Sequence, residues 1–422
     1  MSSKLFVVNR LRLSSRALSF LAFDATPGTS ARIAAFLCLP CLLCFLCFSQ
    51  AATAKAQDFD PGVYPRAPAG KLQQGASSTT AASAAQANAS AAPPKDAAEL
   101  GEPLAPDPAL APARELLQQG NLREAEAATR NFLQAHTDSA EAHFLMGFIL
   151  FREIGEKWRD AGNAQEATSP YSDGSAIGSL AEFRDAKAKE SLAEFTAGAR
   201  YHAASAFDLK IVALDYLLLK HNMDADQWLS RSVQLNSRDA QAWYYLGRTK
   251  YSEGQFPQAI EAFQQCLKLE PRNIQAENNV GLSYEALGKR DQAIQAFENA
   301  IAWETETAVG DPEPFFELAH LYMEQNQPEK AVPYLTHSVA ISPKLCKARE
   351  ALGKAYSLLH RLPEAQAELE KAVALEPATA SLHYLLGQVY RQEGMVSKAQ
   401  AEFDRYDALQ QAQSQLSSRP KS

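Results

Sequence analysis

Residues 240–273 read AQAWYYLGRTKYSEGQFPQAIEAFQQCLKLEPRN, and this stretch decides the fold. Apolar and small side chains recur at helical spacing on either side of Gly254, which describes two helices and a turn. Gly247 has no side chain, and Ala259 only a methyl, so the two helices can approach closely there. Phe263 has the bulk to fill the gap those small residues leave. Gly254 sits where a left-handed residue ends the first helix at little cost. Pro271 stops the second helix, because proline cannot continue it.

The same register returns along the chain. Residues 274–311 repeat it with Val280, Gly281, Tyr284, Gly288, Ala293, Phe297 and Ala300, plus extra turn residues at Val309-Gly310-Asp311. Residues 312–345 give Leu318, Ala319, Tyr322, Ala331, Leu335 and Pro343. Residues 346–379 give Leu352, Gly353, Tyr356, Ala365, Leu369, Ala372 and Pro377, and residues 380–413 give Leu386, Gly387, Tyr390, Gly394, Ala399 and Phe403. Trp243, Leu246, Gly247, Ala259, Phe263 and Pro271 fall on the pattern W-x2-L-G…A-x3-F…P, at a period of about 34 residues. The chain thus resembles the tetratricopeptide-repeat (TPR) family. The resemblance implies an all-α protein, a right-handed α-solenoid of about eight antiparallel helix pairs, with no β-sheet. Each pair can bury its apolar face only against its neighbours, so the units must stack.

Upstream the copies weaken. Residues 206–239 keep Ala213, Tyr216, Ala225 and Leu229, and residues 106–139 keep Gly120 and Ala125. Between them Ala140–Ile154 reads as a first helix with Gly147, and Lys187–Ser205 as a second with Phe195 and Gly198. The intervening residues 155–186 are an insert in the second repeat. Its first part extends the preceding helix, and Ser169–Gly178, with its glycines, is expected as an exposed loop. The solenoid therefore runs over 106–413, followed by a polar tail at 414–422.

Residues 1–54 look like an address. An apolar run, Ile33–Phe48, follows Arg32 and precedes Ala52-Thr53-Ala54, the three parts of a signal peptide with a long n-region. Cleavage is expected after Ala54 or Ala56, and the protein is expected to be exported, periplasmic or extracellular. The alternative is an anchor kept through residues 33–48, the one route to a membrane. Cys38, Cys41, Cys44 and Cys47 have metal-site spacing but only Leu, Phe and Pro neighbours, so no metal site is expected there. Residues 55–105 are rich in Ala, Pro and Ser and too poor in large apolar groups to fold, which makes a disordered linker. Cys266 and Cys346 lie about two repeats apart, too far for a disulfide, and are expected as buried free thiols.

The whole chain carries −8, and residues 1–54 carry +4, so removing them leaves −12. No basic block marks the body, and nucleic acid is not an expected partner. The eight histidines are scattered, and no nucleophile elbow, phosphate loop, zinc-protease or dinucleotide motif is present. The reading is therefore a non-enzymatic protein with no cofactor and no metal.

In proteins resembling this one, ligands lie along the first helix of each repeat, at its second, fifth, ninth, twelfth and thirteenth positions. Mapped here, the groove set is Phe144, Phe148, Phe151, Arg152, Lys210, Tyr244, Arg248, Tyr251, Asn278, Phe316, His320, Lys354, Tyr384, Gln388 and Arg391. It is aromatic and basic, which favours apolar anchors and carboxylates on the partner. Lys210, Asn278 and Lys354 do not reproduce the two-carboxylate clamp of chaperone-binding relatives. The expected function is a protein–protein interaction scaffold or adaptor in the bacterial cell envelope, binding a protein or peptide in the concave groove. The alternative is a substrate-handling subunit of an envelope enzyme or export complex whose active site lies on another chain.

Overall fold

The computed structural model describes residues 104–167, 175–307 and 310–417. The expected export signal and almost all of the expected linker lie outside the described residues, as does most of the proposed loop in the insert. After a 3-10 turn at Pro108–Leu110 come sixteen α-helices, and the described residues contain no β-strand. They are α1 (Ala111–Gln118), α2 (Leu122–Ala135), α3 (Ala140–Ala167), α4 (Ser175–Gly198), α5 (Ala206–Leu218), α6 (Asn222–Leu235), α7 (Ala240–Ser252) and α8 (Phe256–Leu269). They continue as α9 (Ile274–Ala286), α10 (Arg290–Thr307), α11 (Glu313–Glu324), α12 (Pro328–Ile341), α13 (Cys346–Leu358), α14 (Leu362–Leu375), α15 (Ala380–Gln392) and α16 (Val396–Ser417). Each odd-numbered helix packs against the next to give eight pairs, and each pair packs on its neighbours in chain order.

The small-and-large pairing foreseen in the sequence holds the pairs together. A Cβ added at Gly247 would lie 2.6 Å from the ring of Phe263, and one at Gly281 would lie 2.5 Å from Phe297. Gly353 meets Leu369, Gly387 meets Phe403 and Gly147 meets Phe195 in the same way. Phe263 and Phe297 are fully buried, so each ring fills the space its glycine leaves.

In seven of the eight pairs the turn uses one device. Gly120, Lys220, Gly254, Gly288, Asn326, His360 and Gly394 all have positive φ. At Gly254 the next amide, Gln255 N–H, donates to Lys250 C=O at 2.8 Å, while Gly254 N–H donates to Tyr251 C=O at 3.0 Å. This double bond pattern closes the last carbonyls of a helix, and it recurs at all seven turns. Pro271, Pro343 and Pro377 fall two residues beyond the ends of α8, α12 and α14.

The exception is α3–α4. The register places Ile154 at the turn, and a β-branched side chain is severely strained at positive φ. The chain stays helical there, and Ile154 is buried inside a 28-residue α3. On the far side α4 begins at Ser175, twelve residues before Lys187. The proposed loop is therefore corrected: Ser175–Gly178 are helical, and 169–174 lie outside the described residues. At the C-terminal end α16 continues through 414–417, the first residues of the expected polar tail.

A buried polar chain ties this long pair to the next. Ser191 on α4 stands where the regular second helices have alanine, and it is fully buried. Its Oγ lies 2.5 Å from Asp215 Oδ2 on α5 and 2.9 Å from the Gly147 carbonyl on α3. Complete burial pushes the Asp215 carboxyl well above the usual carboxylate range. The Ser191 hydroxyl donates toward Asp215 Oδ2 and lies within hydrogen-bond reach of the Gly147 carbonyl. Between α4 and α3, Lys187 binds Glu153 at 2.8 Å.

Candidate functional site

First helices of neighbouring pairs approach one another directly, α3 to α5, α7 to α9, α9 to α11, α11 to α13 and α13 to α15. Second helices make no comparable approach among the described residues. The first helices therefore form the inner, closer-packed side of the stack, and the candidate face lies on them.

The fifteen sequence-selected residues divide by burial. Phe148, Arg152, Tyr244, Arg248, Tyr251, His320 and Gln388 are half-buried, while Lys354, Tyr384 and Arg391 are exposed. Phe144, Phe151, Lys210, Asn278 and Phe316 are buried, so as open contact residues these five are corrected. Phe144 packs on Phe195 and against Gly198. The Lys210 ammonium donates to Asp239 at 2.8 Å and Gln241 at 3.0 Å, which ties α5 to the start of α7. Asn278 has a buried Oδ1 with no hydrogen-bond partner among the described residues. Phe316 lies under the Lys347 ammonium, 4.6 Å from its ring centre. Phe144 is covered by α4 of its own pair, while Lys210 and Phe316 meet residues at the start of the next first helix, which a single-repeat register does not show.

Two groups are brought together. On α3 and α5, the rings of Phe148 and Phe207 meet edge to face at 5.0 Å, with Arg152 over Phe148 at 5.8 Å. Burial and the nearby Arg159 charge lower the Arg152 pKa, though a guanidinium stays charged. On α7, Arg248 lies over Tyr244 at 5.8 Å and Tyr251 packs on Phe256 at 5.4 Å. Tyr384 and Arg391 instead lean on α16, Tyr384 against Tyr406 and Arg391 over Phe403. Phe207 is absent from the sequence-selected set, although the second-position rule points to it.

The same positions also carry acids. Glu313 pairs with Lys347 at 2.5 Å, Glu350 pairs with Lys354 at 2.5 Å, and Glu285 lies 3.8 Å from His320. The face is thus aromatic with alternating charge, which corrects the purely aromatic and basic reading. Cys266 and Cys346 are buried free thiols as expected, and burial pushes both up to about 12, so neither is a reactive thiolate at neutral pH.

The tetratricopeptide-repeat family models match residues 240–273, 275–307, 312–345 and 350–414. The chain carries tetratricopeptide repeats over this region, in the register set out from Trp243. Among solved structures, PilW, described as a widely conserved type IV pilus biogenesis factor, is 18% identical. That match covers 48% of this chain and 92% of PilW, with a TM-score of 0.43. YrrB, described as a TPR protein with an unusual peptide-binding site, is 21% identical over 43% of this chain and 92% of its own, TM-score 0.37. MamA is 21% identical over 49% of this chain and 99% of its own, TM-score 0.36. A comparison with curated proteins gives no match. Among the described residues, no helix is long and apolar enough to cross a membrane.

Proposed function

We propose that the protein is a non-catalytic scaffold that takes a protein or peptide on the inner face of its first helices. The observation that carries this reading is the run of partly open aromatic and arginine side chains on consecutive first helices: Phe148, Arg152 and Phe207, then Tyr244, Arg248 and Tyr251. Large rings bury much area while freezing few rotors, and arginine holds a carboxylate with two hydrogen bonds. Such residues dominate the affinity of an interface. The alternating charges along the face suit a partner of mixed charge with apolar anchors. The apolar run at 33–48 and the small residues at Ala52 and Ala54 support export to the cell envelope, with the scaffold acting there as an adaptor.

The test expresses the full chain with its N-terminus intact and recovers it with its partner from the envelope fraction. Arg248→Ala with Tyr251→Ala is expected to weaken partner capture by about 2 kcal/mol or more, with helicity and melting unchanged. Lys268→Ala with Lys371→Ala, on exposed second-helix positions, is expected to leave capture intact. Equal capture by both pairs of variants would exclude the inner face. Recovery only from the cytoplasmic fraction, with Met1 retained, would exclude the export reading.

A further inference from the structure

We propose that Glu285, His320 and Glu324 form a divalent transition-metal site on the inner face, at the joint between α9 and α11. His320 and Glu324 are four residues apart on α11 and therefore project from one side of it. Glu285 reaches them from the last turn of α9. One nitrogen of His320 and one oxygen of each carboxylate lie within 4.8 Å of one another. Donors about 2.0–2.2 Å from one tetrahedral ion lie roughly 3.4 Å apart, so the cluster must contract by up to about 1.4 Å, and Glu324 is exposed and able to move. Among the described residues this is the one grouping of its kind.

Two carboxylate oxygens with one imidazole nitrogen are a favourable donor set for a dication. The donor set decides which one. Calcium and magnesium prefer all-oxygen shells, whereas one imidazole with two carboxylates suits zinc and its neighbours. Three protein donors leave at least one position for water or for a donor group of a bound partner. The site does not depend on that partner, because all three ligands belong to this chain.

The sequence held a usable signal. His320 and Glu324 stand at the ninth and thirteenth positions of one repeat and Glu285 at the twelfth of the preceding one, all inner-face positions. Read helix by helix they are an ordinary His–Glu pair and a distant acid. Only the approach of α9 to α11 makes them one cluster.

The experiment titrates the purified full chain with Zn2+ by calorimetry and with Co2+ by visible absorption. The wild type is expected to bind one equivalent with a nitrogen–oxygen cobalt spectrum lacking the near-ultraviolet thiolate band. His320→Ala and Glu324→Gln should each weaken binding at least about tenfold, with helicity retained. Glu350→Gln, on the same face but outside the cluster, should leave it unchanged. Three results would overturn the site: no saturable binding, a spectrum carrying only the thiolate band of cysteine ligation, or undiminished binding in the His320→Ala/Glu324→Gln double variant.

Discussion

Between α7 and α8 the chain reverses over Gly254 at φ 76°, but at the matching place within α3 it meets Ile154 and continues as helix. Thirteen-residue first helices sit on one side of this comparison and a 28-residue one on the other. Yet the contact inside the two pairs is the same, Gly247 under Phe263 and Gly147 under Phe195. Turn chemistry therefore sets how long a pair is, while the glycine and its ring set how the pair packs. The two are separable, which explains how an insert can enter a stack without breaking its register. What the long pair adds is polar: the buried Asp215–Ser191–Gly147 chain stands where regular pairs have alanine and a self-bonded Thr249 or Ser283.

The largest test removes the shared contact from both pairs. Phe263→Ala and Phe195→Ala should each cost about 3–5 kcal/mol in urea unfolding. A much smaller loss at Phe195 would mean that the long pair is held by its polar links and that the likeness to regular pairs is superficial.

A second test isolates those links. The folded Asp215 carboxyl has a pKa above its unfolded value of 3.8, so the native state holds a proton that the unfolded chain gives up first. Its contribution is fully present below pH 3.8 and fades as pH rises toward the folded value. Within that window stability should fall by up to about 1.4 kcal/mol per pH unit from this group. Asp215→Asn keeps a hydrogen-bonding group beside Ser191 but does not titrate, and should remove that slope from the wild-type profile. Identical pH profiles for the two proteins would show that Asp215 is ionised in the fold.

The smallest effect is at the turns. His360 holds a left-handed conformation, φ 57°, in which a Cβ is crowded. His360→Gly should stabilise by about 1 kcal/mol, and Gly254→Ala should destabilise by a similar amount. A neutral result at both would mean that the turn geometry is set by packing and not by the residue that occupies it.

Much of this architecture was legible in the sequence. Gly247 with Phe263, Gly281 with Phe297, Gly254 and Gly288 as turns, and Pro271 as a stop follow from the size and backbone freedom of single residues at fixed spacing. The non-glycine turns at Lys220, Asn326 and His360 were not identified, because their side chains give no sign of a left-handed backbone. The start of α4 at Ser175 was missed as well, since glycines near a helix start look the same as glycines in a loop.

The sequence by itself determined which residues pair inside each repeat, because those contacts join positions at constant separation and recur with the period. The tertiary structure alone decided which inner-face residues are open. Phe144, Lys210 and Phe316 occupy positions equivalent to Tyr244 and Tyr384, yet the first three are buried and the other two reach the surface. It also decided that Glu285 stands beside His320 and Glu324. For Lys210, Phe316 and the Glu285 cluster the outcome depends on how closely one first helix crosses the next. That distance is set by the summed bulk of side chains from two repeats, and no single repeat encodes it.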